Sequence, residues 1–366
     1  MTRILIAGGG TGGHVFPGLA IAEALLQHGV ADEVAFVGTE HGIEARIIPQ
    51  AGYKIHFLKG RGFVGKSAFQ KLKAGALFAY SLIQARALVK RLRPRLVIGV
   101  GGYASVSLVA AAHFNGIPTM VHEQNAVPGL ANRILGKLVD VVAATYQESL
   151  AAFPQGKIVL SGNPVRKAML HCDERSARSA FQLSPDRFTI FVFGGSAGAH
   201  RINLAVAEAL PLLADLRDSI QFIHQTGEAD HRVVDSAYRS AAMPAVVVPF
   251  VYRMAEAYAL ADLVLCRAGA TTLAEITAIG KPVILVPYPH AAGNHQVLNA
   301  RKLEDMGAAR VILDHELSGE RVAESFRTLY LDETLRSNMR KAATAFARVD
   351  AADRIVQLAQ SLMRKG

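Results

Sequence analysis

The chain begins the same pattern twice, and this repetition limits the folds open to it. Residues 3–29, "RILIAGGGTGGHVFPGLAIAEALLQHG", and residues 187–210, "RFTIFVFGGSAGAHRINLAVAEAL", each run from an apolar strand through a Gly-rich turn into a helix. Further short runs follow both, mostly β-branched and separated by helical patterns, as in parallel sheets that are covered on both faces. Alternating strands and helices give doubly wound sheets. We therefore predict an α/β protein with two Rossmann-like doubly wound parallel-sheet domains.

The patterns also predict element and domain boundaries. The predicted strands cover residues 3–7, 33–38, 54–58, 96–100, 118–123, 139–145 and 156–162, then 187–193, 220–227, 245–251, 261–269 and 282–289. A helix is predicted over residues 17–28 with Gly29 at its C′ position, and a long amphipathic helix over about residues 336–365. We place an N-terminal domain at 1–163 and a C-terminal domain at 164–344. The last helix, from about residue 345 to 366, is predicted to pack back on the first domain.

Composition excludes several protein classes. Hydrophobic residues make up 51% and charged residues 19%, which is typical of a folded globular protein. The two cysteines, Cys172 and Cys266, suit a reducing cytoplasm and argue against a disulfide framework or a structural zinc site. No signal peptide is predicted. Residues 96–122 lack Asp, Glu, Lys and Arg, but their glycine pair and Asn-Gly-Ile-Pro favour a strand, turn, helix and strand over a membrane span.

Positive charge is concentrated in one segment. No acidic residue lies between Glu44 and Glu123, and twelve basic residues do: Arg46, Lys54, Lys59, Arg61, Lys66, Lys71, Lys73, Arg86, Lys90, Arg91, Arg93 and Arg95. The net charge of the whole chain is +10, so the rest sums to −2 (10 − 12). Such a field attracts a polyanion: a nucleic acid, an anionic lipid or a phosphorylated substrate. No nucleic-acid module accompanies it, so we predict no nucleic-acid binding.

The first glycine turn matches a dinucleotide fingerprint only in part. Gly8, Gly10 and Gly13 spell G-x-G-x-x-G, a weak signal when it stands alone. The acidic residue that would hold a ribose is misplaced, because Glu40 lies beyond the end of the second strand. His14 stands where a hydride-transfer enzyme has a small apolar residue, and further glycine turns occur at residues 99–102 and 194–198. An NAD(P)-dependent oxidoreductase is therefore the less favoured interpretation.

The second half contains a denser polar cluster. "CRAGATTLAEI" places Gly269 and the next three residues at a strand-to-helix turn, with Glu275 one turn into the helix. Helix N-terminal amides suit a diphosphate, and a carboxylate can hold both ribose hydroxyls. An ordinary helix cap with Glu275 facing inward is an open alternative. "PYPHAAGNHQVLNA" adds His290, Asn294, His295, Gln296 and Asn299 on a loop and a helix start, which is unusual for a structural connection.

Taken in order, these motifs resemble a known enzyme family. "GGGTGGHVFPGLA", "GVGGYAS", "HEQNAVPGLANR", "SGNPVR", "FGGSAGA", "CRAGATTLAEI" and "NHQVLNA" together resemble the MurG family of bacterial transferases. The resemblance implies a GT-B fold with two domains facing across a cleft. It implies inverting transfer of GlcNAc from UDP-GlcNAc to the C4 hydroxyl of MurNAc in undecaprenyl-pyrophosphoryl-MurNAc-pentapeptide. No D-x-D motif occurs, so no metal or other cofactor is expected, and helix dipoles and loop amides would stabilise the departing UDP. Another GT-B enzyme, such as a different glycolipid transferase or a UDP-GlcNAc epimerase, is the alternative.

The resemblance also implies site residues. Thr11, Gly12 and Gly13 would lie beside the transferred sugar and diphosphate, while Asn125 and Gln296 would bond GlcNAc hydroxyls. The remaining donor contacts would be Arg166 and Ser196 with the nucleotide, the Val251 backbone with uracil, Ala270, Thr271, Thr272 and Leu273 with the diphosphate, and Glu275 with the ribose. Structural roles stay open, with Gln124 and Asn125 organising their loop and Arg166 forming an ion pair.

The catalytic base has two candidates. His14 qualifies because imidazole titrates near neutral pH and because it lies on the first glycine loop, although a capping or phosphate-binding role is open. Glu123 could act as the base or position His14. One departure from the family concerns the acceptor side, where Val106-Ser107 replaces a common Gly-Pro pair.

The lipid acceptor gives the basic segment a purpose. Two apolar stripes follow the helix it contains: Phe69, Leu72, Ala76, Tyr80, Ile83 and Ala87, and Phe78, Leu82, Ala85, Val89 and Leu92. One stripe is enough for core packing, so the second predicts contact with an anionic inner-membrane surface from its cytoplasmic face. A helix buried on both sides is the alternative. Proteins of cell-wall synthesis are expected as further partners.

Overall fold

The computed structural model describes residues 1–59, 68–172 and 174–365. Its contacts divide the chain into two compact units, the first containing residues 1–166 and 348–366 and the second residues 167–347. The sequence analysis placed these boundaries at 163/164 and 344/345.

The elements are numbered in chain order. The strands are β1 (Arg3–Ala7), β2 (Glu33–Gly38), β3 (Lys54–Phe57), β4 (Leu96–Gly99), β5 (Thr119–Glu123), β6 (Val141–Ala144), β7 (Ile158–Leu160), β8 (Phe188–Phe193), β9 (Ile220–Gln225), β10 (Ala245–Val248), β11 (Leu263–Cys266), β12 (Val283–Leu285) and β13 (Arg310–Val311). The α-helices are α1 (Gly12–Gln27), α2 (Glu44–Gln50), α3 (Ala68–Leu92), α4 (Tyr103–His113), α5 (Leu130–Leu135), α6 (Lys167–Leu170), α7 (Glu174–Phe181), α8 (His200–Ala209), α9 (His231–Ser240), α10 (Met254–Leu260), α11 (Ala270–Ile279), α12 (His295–Asp305), α13 (Gly319–Leu331), α14 (Glu333–Phe346) and α15 (Ala351–Lys365). Short 3₁₀ helices cover Gln147–Ala152, Pro211–Leu216, Ala292–Asn294 and Asp314–Glu316.

The first unit contains a parallel sheet in the order β3-β2-β1-β4-β5-β6-β7. Ile4 of β1 is in register with Val34 on one side and Leu96 on the other. The strand order reverses between β1 and β4, and ligands of such sheets bind beyond the carboxyl ends of the strands at that point. The loops after β1 and β4 lie there, and they carry the first and third glycine turns.

The second unit repeats this topology, with a parallel sheet in the order β10-β9-β8-β11-β12-β13. Here the order reverses between β8 and β11, which are paired through Phe191 and Val264. Two loops follow the carboxyl ends of these strands: the glycine turn between β8 and α8, and the turn between β11 and α11. Both units thus place their Gly-rich turns at the switch point of a sheet, and the predicted fold class is confirmed.

Each unit has its own apolar core. Ile4, Ile6, Leu25 and Phe36 belong to a buried cluster of the first unit, and this cluster also contains Ile355 and its neighbours from α15. The last helix therefore packs against α1 of the first unit. Ile190, Phe222 and Phe326 belong to the core of the second unit.

The predicted strands are all present, but three details differ. Strand β13 was missed because it has only two residues, Arg310 and Val311. Helix α1 begins at Gly12 rather than at residue 17, with Thr11 at its N-cap, so Pro17 lies inside the helix and not at its first position. The prediction of one continuous helix over residues 336–365 is wrong. Residues 347–350 separate α14 from α15, and the chain passes from the second unit to the first there.

Residues 96–122 form β4, α4 and the start of β5, as predicted. Across the parts of the chain that the structure describes, there is no helix with the length and apolarity needed to cross a bilayer.

Candidate active site

The first glycine loop is held by a carboxylate that the sequence analysis did not single out. The backbone N–H of Gly10 donates to Oε2 of Glu44 at 2.8 Å, and Glu44 is 1% exposed. A pyrophosphate in this loop would need that N–H and would meet a buried negative charge. The loop is therefore not built as a dinucleotide cradle, despite its G-x-G-x-x-G spacing.

His14 lies in the first turn of α1 and is half-buried. Its Nδ1 lies 2.9 Å from the carbonyl oxygen of Gly9 and 3.5 Å from the hydroxyl of Thr11. Because a carbonyl oxygen only accepts, the bond to Gly9 requires a proton on Nδ1, and in the neutral imidazole Nε2 then carries the lone pair. The imidazole is thus set up to accept a proton at Nε2.

The turn after β4 makes room for this imidazole. A Cβ at Gly101 would lie 2.6 Å from Nε2 of His14, and a Cβ at Gly102 would lie 2.7 Å from the carbonyl oxygen of Gly9. Both glycines have positive φ, +106° and +84°. The third glycine turn therefore serves close packing against the first.

Glu123 organises the loop that follows β5. Its buried carboxylate accepts from the backbone N–H of Asn125 at 2.9 Å, the backbone N–H of Gly129 at 3.1 Å and Nδ2 of Asn132 at 2.9 Å. Nδ2 of Asn125 donates to the same carboxylate at 3.3 Å. Within the described residues no hydrogen bond joins Glu123 to His14. The contacts of Glu123 instead order the loop after β5, a role considered from the sequence for Gln124 and Asn125.

The other candidates of the first unit lie near α1. Thr11 is exposed at the N-cap, and Gly12 and Gly13 open the helix. The guanidinium of Arg166 lies 4.8 Å from the centroid of the Phe16 ring, a cation–π distance. Asn163, from the same "SGNPVR" motif, is buried.

In the second unit, the donor candidates gather at the start of α11. Ala270, Thr271, Thr272 and Leu273 form its first turn after Gly269 at the N-cap. Glu275 is buried on the next turn, and Oε2 of its carboxylate accepts from the hydroxyl of Tyr258 at 3.3 Å. The first amides of a helix lack intrahelical acceptors and carry the positive end of its dipole. The turn can therefore hold an anion.

A buried amide that the sequence analysis missed connects two donor loops. Nε2 of Gln225 donates to the carbonyl of Gly195 at 2.7 Å, and its Oε1 accepts from the backbone N–H of Val251 at 2.9 Å. Ser196 lies exposed on the first of these loops. The N–H of Val251 already donates to Gln225, so the backbone group that Val251 can offer to a uracil ring is its carbonyl. Only tertiary contacts give Gln225 this role, so no sequence pattern could have found it.

Gln296 lies in the first turn of α12. Its Oε1 accepts from the backbone N–H of Tyr288 at 2.9 Å, which leaves the amide nitrogen to donate elsewhere. His290 lies edge-on to Tyr288, with ring centroids 5.6 Å apart. Asn299 is 1% exposed, farther along the same helix.

The departure at Val106-Ser107 lies inside α4. Ser107 is fully buried, and its hydroxyl accepts from the hydroxyl of Ser81 in α3 at 2.9 Å. In this chain the serine at this position therefore forms a hydrogen bond between α4 and α3.

Helix α3 exposes one of its two predicted apolar stripes to solvent, the stripe that contains Tyr80 and Ile83. Ile83 is 67% and Tyr80 47% exposed, whereas Ala85 and Val89 of the other stripe are buried. The alternative of a helix buried on both sides is therefore wrong over residues 80–87. Arg86 and Lys90 are also exposed on this helix. Arg61 and Lys66 lie outside the described residues, as do the side chains of Phe69, Lys71, Leu72, Lys73 and Ala76.

Both halves of the chain match models of known protein families. The glycosyltransferase family 28 N-terminal domain matches residues 4–144, and the family 28 C-terminal domain matches residues 189–355. A UDP-N-acetylglucosamine--N-acetylmuramyl-(pentapeptide) pyrophosphoryl-undecaprenol N-acetylglucosamine transferase from Thermodesulfovibrio yellowstonii is 46% identical over 99% of both chains.

Solved structures extend the comparison. The crystal structure of Acinetobacter baumannii MurG is 30% identical, covers 99% of this chain and 100% of its own, and superposes with a TM-score of 0.74. A UDP-GlcNAc 2-epimerase from Neisseria meningitidis superposes over 100% of both chains with a TM-score of 0.69, but at 14% identity it shares the fold alone. The chain therefore belongs to glycosyltransferase family 28.

Proposed function

We propose that this chain transfers GlcNAc from UDP-GlcNAc to the C4 hydroxyl of MurNAc in undecaprenyl-pyrophosphoryl-MurNAc-pentapeptide, a step of peptidoglycan synthesis. One observation carries the proposal: a relative that is 46% identical over 99% of the chain is named for this transfer. The site residues described above supply groups of the right chemistry for each part of the reaction.

The donor is assigned to the second unit. The first-turn amides of α11 and the hydroxyls of Thr271 and Thr272 would hold the diphosphate, with Ser196 as a further hydroxyl. The carboxylate of Glu275 would accept from the ribose hydroxyls, and the carbonyl of Val251 would accept from the uracil N3–H. The remaining assigned contacts are Arg166 with the nucleotide, Asn125 and Gln296 with GlcNAc hydroxyls, and Thr11, Gly12 and Gly13 beside the transferred sugar and the diphosphate.

His14 is assigned as the general base of the first unit. Nε2 would take the proton of the MurNAc C4 hydroxyl while that oxygen attacks C1 of GlcNAc. The C1–O bond to UDP breaks, and the configuration at C1 inverts. The positive end of the α11 dipole would stabilise the charge that develops on the leaving diphosphate, without a metal.

The acceptor is a lipid, so the enzyme must meet a membrane surface. We assign that contact to the exposed stripe of α3, defined by Tyr80, Ile83 and Ala87, with Arg86 and Lys90 beside it. Apolar side chains flanked by cations suit the interface of an anionic bilayer, where each cation adds about 1 kcal/mol. We therefore propose that the chain binds peripherally to the cytoplasmic face of the inner membrane.

Calorimetric titration with EDTA present tests the donor assignment. We expect UDP and UDP-GlcNAc to bind without metal, and we expect Glu275→Ala to weaken both roughly 10- to 100-fold, because a charge-assisted hydrogen bond contributes about 1.5–3 kcal/mol. Asp235→Ala is the control, since this carboxylate pairs with Arg239 on the surface of α9. Binding of NADH with no response to UDP would overturn the proposal.

A further inference from the structure

The carboxylate of Glu44 fills a space that exists because three surrounding residues are glycines. A Cβ added at Gly9 or at Gly42 would collide with this carboxylate, and a Cβ at Gly38 would lie 2.6 Å from its Cγ. Glu44 begins α2 and is 1% exposed, although ionisable side chains are rarely buried so fully. The three glycines come from the loop after β1, the end of β2 and the loop before α2, so three separate segments leave the space that it fills.

The two oxygens of this carboxylate have different partners. Oε1 accepts from the backbone N–H of Thr39 at 3.0 Å and from its hydroxyl at 2.8 Å. Oε2 accepts from the N–H of Gly10 at 2.8 Å. The first oxygen therefore fixes the end of β2, and the second reaches the glycine loop of the candidate active site.

The bond to Gly10 and the bond to His14 belong to one peptide unit. The N–H of Gly10 and the carbonyl of Gly9 are the two ends of the same planar amide. Its N–H donates to Glu44 at 2.8 Å, and its carbonyl accepts from Nδ1 of His14 at 2.9 Å. A buried negative charge, one peptide and the imidazole thus form a continuous chain of hydrogen bonds.

We propose that Glu44 is a positioning residue for His14 and acts through the Gly9–Gly10 peptide. The inference rests on the proposed function, in which His14 is the base. A carboxylate on the N–H side orients the amide and polarises it, so that its carbonyl becomes a better acceptor for Nδ1–H. The proton is then held on Nδ1, and the lone pair stays on Nε2, which faces Gly101.

Asp140 provides a comparison for Glu44, because it also accepts hydrogen bonds from a threonine but, in the described part of the chain, has no bond to the glycine loop. Oδ2 of Asp140 also accepts from a threonine, with the N–H of Thr119 at 2.8 Å and its hydroxyl at 3.0 Å. This carboxylate braces the start of β5 and lies outside the glycine loop. Asp140→Ala therefore removes a carboxylate that braces a threonine in the same way, without touching the peptide between Gly9 and Gly10.

The first test measures the wild-type protein, and a substitution is used only to assign the signal of His14. We would label the histidines with ¹⁵N, assign His14 by its loss in His14→Gln, and record the spectrum of the full-length protein at about pH 8.5, where imidazoles are neutral. The proposal predicts a proton on Nδ1 and none on Nε2. A proton on Nε2 would overturn it, whatever the enzyme does.

The second test asks whether Glu44 acts through His14. Glu44→Gln keeps the volume but cannot accept from both Gly10 and Thr39, so we expect kcat for GlcNAc transfer to fall roughly 10- to 100-fold with the KM for UDP-GlcNAc unchanged. Asp140→Ala should keep the wild-type kcat. In His14→Ala the further change Glu44→Gln should cost less than about 3-fold, because both side chains belong to one unit.

The outcomes separate the two claims. If His14→Ala retains activity, the proposed base is wrong. If His14→Ala is strongly impaired but measurable, and Glu44→Gln still costs its full factor in that background, the role of Glu44 through His14 is wrong while the proposed base stands. If Glu44→Gln does not fold, the tautomer of the wild type remains the test, and a proton on Nε2 overturns the inference.

Discussion

At the residue scale, Gly101 must be glycine for two reasons: its backbone has a positive φ, and a side chain there would collide with His14. Its φ of +106° already disfavours a side chain, and a Cβ there would lie 2.6 Å from Cδ2 and Nε2 of His14. The position therefore determines where the imidazole lies. Gly116 has a similar backbone need, with φ of +70°, but a Cβ there meets no atom within 4 Å.

This contrast gives a prediction for catalysis. Gly101→Ala should lower kcat about 100-fold or more, because the imidazole must leave its place, while UDP affinity stays unchanged. Gly116→Ala should cost about 1 kcal/mol in the free energy of unfolding and leave kcat within about 2-fold. Steady-state kinetics and urea unfolding of both variants measure these effects. Equal losses of kcat in the two variants would contradict the account.

A second residue-scale prediction concerns Gln225. Its amide joins the loop of Gly195 to Val251, so Gln225→Leu should free both loops and weaken UDP binding about 10-fold. Gln221 is the control, since it is also buried on β9 but bonds to Ser184 at the opposite end of the strand. Gln221→Leu should lower stability and leave the Kd for UDP unchanged by calorimetry. Weakened UDP binding in both variants would count against a specific role for Gln225.

At the element scale, two inner strands each carry a buried histidine. Burial lowers the pKa of His122 on β5 to about 4 and that of His224 on β9 to about 3. Each imidazole is neutral in its network, with His122 donating to the carbonyl of Gly162 and His224 lying 3.1 Å from Oδ1 of Asn203. An unfolded histidine binds a proton near pH 6.5, so the unfolded state takes up more protons below that value.

Stability should therefore fall as the pH drops from 7 towards 4. Between pH 7 and pH 5 each histidine should remove of the order of 2 kcal/mol from the free energy of unfolding. Urea titrations at the two pH values measure the change, and His224→Gln should show a smaller loss between them than the wild type. An identical pH dependence in His224→Gln would contradict the assigned cause.

Helix α3 makes a prediction about membranes at the same scale. Ile83→Glu should reduce binding to vesicles that contain anionic phospholipid about 10-fold or more, because it removes apolar contact and adds repulsion. Val233→Glu is the control, an exposed apolar residue on α9 of the second unit. Co-sedimentation at low and high salt measures both variants. Equal binding of Ile83→Glu and wild type would place the membrane contact elsewhere.

Elements with strong periodicity could be predicted from the sequence, and tertiary relationships could not. Strands such as β1 and β8 are continuous β-branched or aromatic runs, so their existence followed from composition and burial. The two residues of β13 carry no such pattern. The break at residues 347–350 was missed because apolar periodicity continues across it. Glu44 was missed because Gly10, its partner in the first glycine loop, lies 34 residues away, and no local pattern marks such a pair.

At the scale of the whole molecule, one topology is used twice with different polar groups at its switch point. The first unit places a histidine, a buried carboxylate and two glycine turns there, which suits proton transfer. The second unit places a helix N-terminus, hydroxyls and Glu275 there, which suits a sugar nucleotide. The proposed division of labour, with the acceptor in the first unit and the donor in the second, follows from this difference.

The central claim is tested most directly by following the transfer itself. The purified chain is incubated with UDP-GlcNAc and the lipid-linked MurNAc-pentapeptide in EDTA, and both substrates are analysed by mass spectrometry. The account predicts that the acceptor gains one N-acetylhexosamine, that UDP is released in equal amount, and that His14→Ala lowers the rate about 100-fold or more. An unmodified acceptor together with conversion of UDP-GlcNAc to another UDP-sugar would contradict it.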